Sequence, residues 1–377
     1  MANITLDENG KISDNDELYK ILDECYDNDE YDNIIAAVLS VPEEQRSVKL
    51  RFRLIGALNN KKDFENSRNE LQKILPDCKT PAEIARYFYM QGYILFINDK
   101  ELAALSFYEA GINADPENTS GLDLADEAKE CREYVDKDLK ELAELAKQVC
   151  GDIDKRCAEK TEKEKISDGA FTVLMGLIPA LRQLPAVGRG LGLDDFFQKF
   201  EGKDKEVIAQ WLDTLFGIKD KESFIKFYQT AQGCNISGMY ADVDAFLSGK
   251  PKFDLKTLRG DAQRAFHNTC MFTEPLREFL PKAGVLGWDL SEKIGFSRLA
   301  YSVDVLEKND YLGSMVAIKK AALDFFPSTA EFLKSLVIGS ALYTFASSEW
   351  DIKGAITMMK RSRDVMLHCE LPDAEWA

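Results

Sequence analysis

Residues 86–118 carry a pattern of small and large side chains that suits two tightly packed helices. Gly92, Ala104 and Gly111 are small, Phe88, Leu95 and Tyr108 are large, and Pro116 closes the run. Small residues let antiparallel helices approach, and large ones fill the space between them. Proline then ends the second helix, because it lacks the amide donor and clashes with the preceding turn. The arrangement recurs upstream with less regularity. Leu54, Leu58, Phe64, Ser67, Leu71 and Ile74 form a second unit, with Ile55 where the glycine would stand. Tyr31, Ile34, Ala37 and Val38 hold a third. Ile34, Ser67 and Ala104 correspond, at separations of 33 and 37 residues, and the extra residues fit the loop at 76–81. Such a period is the signature of a helical repeat, in which each pair buries its apolar face only against its neighbours.

Counted back from Pro116, this spacing resembles the tetratricopeptide repeat, and three such repeats are expected over residues 1–118. The resemblance implies a superhelix with a concave face that binds a peptide or a partner helix. On that face the first helices would present Tyr89 and Tyr93, with Arg53 and Asn59 from the preceding unit. Phe88 is expected in the core. The set of Lys and Arg positions that would clamp a partner's terminal carboxylate is not seen.

From Asp7 to Asp32 eleven acidic residues stand against Lys11 and Lys20. Leu18, Ile21, Leu22 and Cys25 keep helical spacing within this acidity, so the acids read as a solvated face. Residues 119–165 read as a long capping and connecting helix, either one helix or two nearly continuous ones. Val135, Leu139, Leu142, Ala146, Val149 and Ile153 recur at steps of three and four, and Ser120 with Asp123 looks like a capping-box start. Its first part would cap the repeats. The rest would bridge the domains or form a dimer seam, so an oligomer through the 119–165 helix is one expected outcome. Residues 166–377 form the remaining, α-helical domain.

The densest helical signal lies at 286–345. Leu290, Ile294, Tyr301 and Val305 share one face, and Gly295, Leu299, Ser302 and Leu306 make a second. A helix apolar on two sides is buried between neighbours. Arg298 falls on the first face and needs a partner from another segment, since an unpaired buried charge is costly and Asp289 points to the opposite side. A structural ion pair is one reading. The other is a ligand-orienting Arg298, with Trp288, Asp289 and Tyr301 lining a pocket. A helix from Leu312 ends at Pro327, and Ser328 or Thr329 caps the next. There Gly339 and Ser340 allow a tight crossing with the Trp288 helix.

Gly287-Trp288-Asp289-Leu290, Arg298-Leu299-Ala300-Tyr301, Phe325-Phe326, Glu331-Phe332-Leu333 and Ile338-Gly339-Ser340-Ala341 together resemble a bacterial family catalogued as domain of unknown function 1266. Trp211-Leu212 and Phe216-Gly217-Ile218, followed by Phe224 and Phe227, are similar to that family's opening segment. The resemblance covers about residues 207–345. Glu292 departs from it, standing where the family more often has a basic residue. No activity is implied.

Composition narrows the function classes. Lys and Arg number 48 against 65 Asp and Glu, a net charge of −17. This argues against non-specific nucleic-acid binding and against anionic membrane surfaces. The eight cysteines form no CxxC pair and no zinc-like spacing, so no metal or cofactor is expected and a reducing compartment is. The N-terminus lacks a basic start and an apolar run. The most apolar stretch, 174–184, is interrupted by Pro179 and Arg182, so no membrane span is expected and the cytoplasm is. The glycine-rich run at 188–192 lacks the strand before it and the Lys-Ser/Thr after it that a phosphate loop needs, and reads as a turn. The two histidines, His267 and His368, lack catalytic partners; Cys270 could share a helix face with His267 but no third member appears. The basic residues Lys360, Arg361 and Arg363 could pair with acids elsewhere. The expectation is an all-α, non-enzymatic adaptor or scaffold that binds a protein or peptide partner through its repeats. The alternative is a ligand-binding or enzymatic helical domain centred on Trp288–Tyr301.

Overall fold

Helices make up most of the described residues, and several of their turns have an identifiable chemistry. The computed structural model describes residues 16–158, 197–230 and 235–368, and no strand occurs among the described residues. The chain divides into two compact units between Asp136 and Lys137. Several sequence expectations lie outside the described residues: the N-terminal start, the end of the connecting helix at 159–165, the apolar run at 174–184, the turn at 188–192, and Cys234 and Cys369 of the eight cysteines.

The first unit holds α1 (Asp16–Asp27), α2 (Tyr31–Leu39), α3 (Val48–Asn60), α4 (Phe64–Ile74), α5 (Pro81–Ile97) and α6 (Glu101–Ala114). The turns α1–α2, α3–α4 and α5–α6 are the same. Asp29, Lys62 and Asp99 each take a left-handed φ, of 57°, 59° and 58°. The next residue's amide reaches back over the helix end: Glu30 N to Cys25 O (2.8 Å), Asp63 N to Leu58 O (2.9 Å) and Lys100 N to Leu95 O (3.0 Å). This closure satisfies carbonyls left open at a helix C-terminus. Thr80 starts α5 with a capping box, its hydroxyl accepting from Glu83 N while Glu83 accepts from Thr80 N.

One apolar cluster joins α1, α2 and α3 through Leu22, Ile34, Val38, Leu50 and Leu54. A second joins α3, α4 and α5 through Phe52, Ile55, Leu71, Ile74 and Ile94, with the half-buried Phe88 packed against it. Helix α3 thus serves two neighbours with two faces. Between α5 and α6 the approach is closest at Gly92, where a Cβ would lie 2.5 Å from the fully buried Tyr108 ring.

After α6 the buried Asp115 organises a turn. Burial pushes its carboxyl up, but hydrogen bonds from Thr119 and Ser120 outweigh that and hold it at about 2. Ser120 is therefore part of this turn and does not cap a helix. The next helix, α7 (Leu124–Ala158), begins four residues later, and the division between the units falls within it. Its apolar residues, including Leu124, Cys131, Val135, Leu142, Ala146, Val149 and Ile153, are buried within the single chain.

The second unit contains α8 (Gly202–Phe216), α9 (Lys221–Thr230), α10 (Ile236–Leu247), α11 (Gly260–Thr273), α12 (Leu286–Ser302), α13 (Lys308–Phe325), α14 (Thr329–Ser347) and α15 (Ile352–His368). Helix α12 is its centre and packs against α8, α10, α13 and α14. From Gly287 to Ser302 every residue but Lys293 is buried. Two glycines permit the α12–α14 crossing. A Cβ on Gly339 would lie 2.4 Å from Trp288 Cβ, and one on Gly287 would lie 2.9 Å from Phe332 O. Gly287 N also donates to Ser335 Oγ at 2.8 Å. Ser328 caps α14, accepting from Glu331 N. Of the C-terminal basic residues, Lys360 pairs with Glu141 (2.8 Å) and Arg363 with Asp152 (2.6 Å), both on α7.

Candidate functional site

In the first unit, α1, α3 and α5 border a cavity of about 340 Å³. Helix periodicity aligns its lining. Lys49, Arg53 and Gly56 stand at steps of four and three on α3, while Arg86, Tyr89 and Met90 lie within one turn of α5. Tyr26 from α1, Phe52 from α3 and Leu122, just before α7, complete it. The lining is apolar and aromatic with three cations, and none of its residues is acidic.

The cations differ in what holds them. Arg53 forms an ion pair with Asp23. The Lys49 ammonium sits 3.6 Å from the centre of the Tyr19 ring, a cation–π contact. Arg86 is half-buried; burial depresses its guanidinium, and the neighbouring Arg53 charge depresses it further. Burial likewise pushes the Tyr89 hydroxyl up to about 12, reinforced by the Glu127 carboxylate. Tyr93 stacks on Tyr89, centroids 6.3 Å apart.

The residues expected on this face are partly brought together. Arg53 and Tyr89 line the cavity, and Tyr93 adjoins it through Tyr89. Asn59 does not belong to it. It is only 4% exposed, and its side-chain oxygen accepts from Ser67 Oγ at 2.6 Å. A buried amide needs such a partner, and this one fixes α3 to α4. Sequence reasoning missed Lys49, Arg86 and Tyr26. The spacing of Lys49 from Arg53, and of Arg86 from Tyr89 and Tyr93, was the available signal.

In the second unit, Trp288, Asp289, Arg298 and Tyr301 are all at least nine-tenths buried. Trp288 is wholly enclosed and lies against Tyr343 and Gly339. Asp289 accepts from the Ile236 and Ser237 amides (both 3.0 Å) and from the Ser237 hydroxyl. It caps α10 from another helix; burial still raises its carboxyl, against those bonds. Tyr301 stacks on Tyr311 (5.0 Å), meets Phe197 edge-on, and lies under the Lys199 ammonium. Arg298 lies close enough to Tyr311 to oppose the burial that raises that phenol to about 12. Trp288 and Tyr301 thus pack against aromatic neighbours, and Asp289 caps α10. A second cavity of about 340 Å³ lies elsewhere, between α9 and α13, lined by Phe224, Ile225, Tyr228 and Leu306 with the Lys221–Asp310 pair at its edge.

Burial disfavours the thiolate form of the buried cysteines. Burial raises the thiols of Cys78, Cys150 and Cys270 to about 11 and that of Cys131 to about 12. His267 is exposed while Cys270 is buried. Among the described residues no group of three or more His, Cys, Asp or Glu could hold a metal ion, and no helix is long and apolar enough to cross a membrane.

These observations define an all-helical protein with a hairpin-built first unit and a second unit packed around one buried helix. Residues 199–369 match the model of a family described as Protein of unknown function (DUF1266). The match exceeds the expected 207–345 at both ends, reaching Lys199 and Phe200, which bond to the end of α12, and taking in α15. No curated protein and no solved structure matches the chain.

Proposed function

We propose that the first unit is a partner-binding module of tetratricopeptide-like helix pairs, and that the chain works as an adaptor or scaffold. The observation that carries this is the cavity bordered by α1, α3 and α5, the first helices of three successive pairs. Support for the repeat reading comes from the shared turn. Asp29, Lys62 and Asp99 stand 33 and 37 residues apart, the separations of Ile34, Ser67 and Ala104. The packing of Gly92 on Tyr108 supports it as well.

A repeat stack offers its partner a surface built from many helices, so binding should depend on aromatic side chains at its centre. The full-length chain, used as bait in a lysate of its native host, should retain a saturable protein partner. Tyr89→Ala combined with Tyr93→Ala should lose it, while Tyr228→Ala in the second unit should keep it. A partner retained by the Tyr89/Tyr93 variant would sink this reading. A ligand-binding or enzymatic second unit centred on Trp288–Tyr301 has weaker support, because those side chains are enclosed.

A further inference from the structure

We propose that the first unit's cavity receives an acidic side chain of a protein partner, flanked by an apolar or aromatic one, with Arg86 as the anion's main contact. This rests on the reading of that unit as a partner-binding module. The charge distribution points to it. The chain carries −17 overall, yet the cavity is lined by Lys49, Arg53 and Arg86 and by no carboxylate. A cationic pocket on an acidic protein runs against the average surface, and local clustering of one sign focuses the field toward the opposite charge.

The three cations are not equally committed. Arg53 already holds the Asp23 carboxylate, so this site takes a carboxylate at its edge within the chain itself. Lys49 rests on the Tyr19 ring. Arg86 forms no ion pair with a described residue, although it is half-buried and next to another guanidinium. Desolvation and like charge both work against such a cation, and an incoming carboxylate relieves both. Guanidinium offers that carboxylate two parallel N–H donors.

The remaining lining specifies the anion's neighbour. Phe52, Met90, Tyr26 and Tyr89 present apolar surface beside the cations. The space beside Gly56 is open: a Cβ there would reach only ordinary van der Waals distance, 3.8 Å, from Met90 and Tyr26. A bare anion would leave this surface wet. An acidic residue next to a large apolar one in a peptide satisfies both halves, and the net charge disfavours a polyanion such as nucleic acid.

The test is a selection of random linear peptides displayed on phage against the immobilised full-length chain. Enriched sequences should carry Asp or Glu beside an aromatic or large aliphatic residue. An enriched peptide, synthesised with a fluorophore, should bind at least about tenfold more weakly to Arg86→Gln. Exchanging its acid for the amide should weaken binding to the wild-type chain by a similar factor. The two changes together should cost little more than either alone, as for groups in direct contact. Asp23→Asn, which frees Arg53, should tighten binding, an effect that general loosening of the fold does not produce. Should Arg86→Gln fail to fold, the peptide-side exchange reads the same contact on the unaltered chain. Enriched peptides without acids, or equal binding of acid and amide peptides, would overturn the anion contact and leave the binding module standing. Absence of any enrichment would overturn both.

Discussion

Tyr108 shows how one side chain can be right in size and costly in chemistry. It is fully buried beneath Gly92, and its hydroxyl has no hydrogen-bond partner among the described residues. Burial raises that hydroxyl strongly. The ring fills the gap left by the glycine, but a buried hydroxyl without an acceptor forfeits its hydration. Tyr108→Phe keeps the ring and removes the orphaned group. It should leave the first unit at least as stable, with a gain of up to about 1 kcal/mol, measured by chemical denaturation. A loss of about 2 kcal/mol would mean that the hydroxyl has a partner. The ring's place was legible in the sequence from its spacing to Gly92 and Gly111. The fate of its oxygen was not, because spacing along one helix does not say which polar groups the facing helix supplies. Asn59 failed for the same reason: its helical position suited an accessible face, and Ser67 on the next helix made it a core residue. Asp289 was legible as polar and central, but its partners lie 53 and 52 residues upstream.

At the level of elements, helix existence followed from periodicity, and helix ends followed where a single residue dictates them. Pro327 and Ser328 mark the α13–α14 junction in the sequence and in the structure. The start of α7 did not follow, because Ser120 had a competing use. A serine can serve a helix terminus or a turn, and the buried Asp115 decided for the turn. The shared hairpin closure leads to a prediction at this scale. Lys62 holds a left-handed conformation that costs a β-carbon-bearing residue up to about 1–2 kcal/mol, whereas aspartate tolerates it better and glycine adopts it freely. Lys62→Gly should therefore stabilise the α3–α4 turn by roughly 0.5–1 kcal/mol, partly offset by the loss of chain entropy. Asp29→Gly and Asp99→Gly should gain less. Thermal denaturation of the three variants gives the order, and a destabilised Lys62→Gly would contradict the strain argument.

For the whole molecule, the two compact units set where cooperative folding divides. The sequence suggested repeats, a connector and a third region. The structure has two compact units that divide between Asp136 and Lys137, within a single 35-residue helix. Periodicity registers that helix as one element and cannot register which half each core claims. Each unit has its own close-packed crossing, at Gly92 on Tyr108 in the first and at Gly339 on Trp288 in the second. Both neighbours are fully enclosed rings, so an added methyl can be accommodated only by moving a buried aromatic. Overpacking of this kind costs about 1–3 kcal/mol. Two compact units, each with its own core, are expected to unfold in two transitions. Gly92→Ala should lower only one transition and Gly339→Ala only the other, each by several degrees in differential scanning calorimetry. Hydrogen exchange would assign them, with protection lost over α5 and α6 in the first variant and over α12 and α14 in the second. If both substitutions lowered one common transition by the same amount, the two units would fold as one, and α7 would have to be counted as part of a single core.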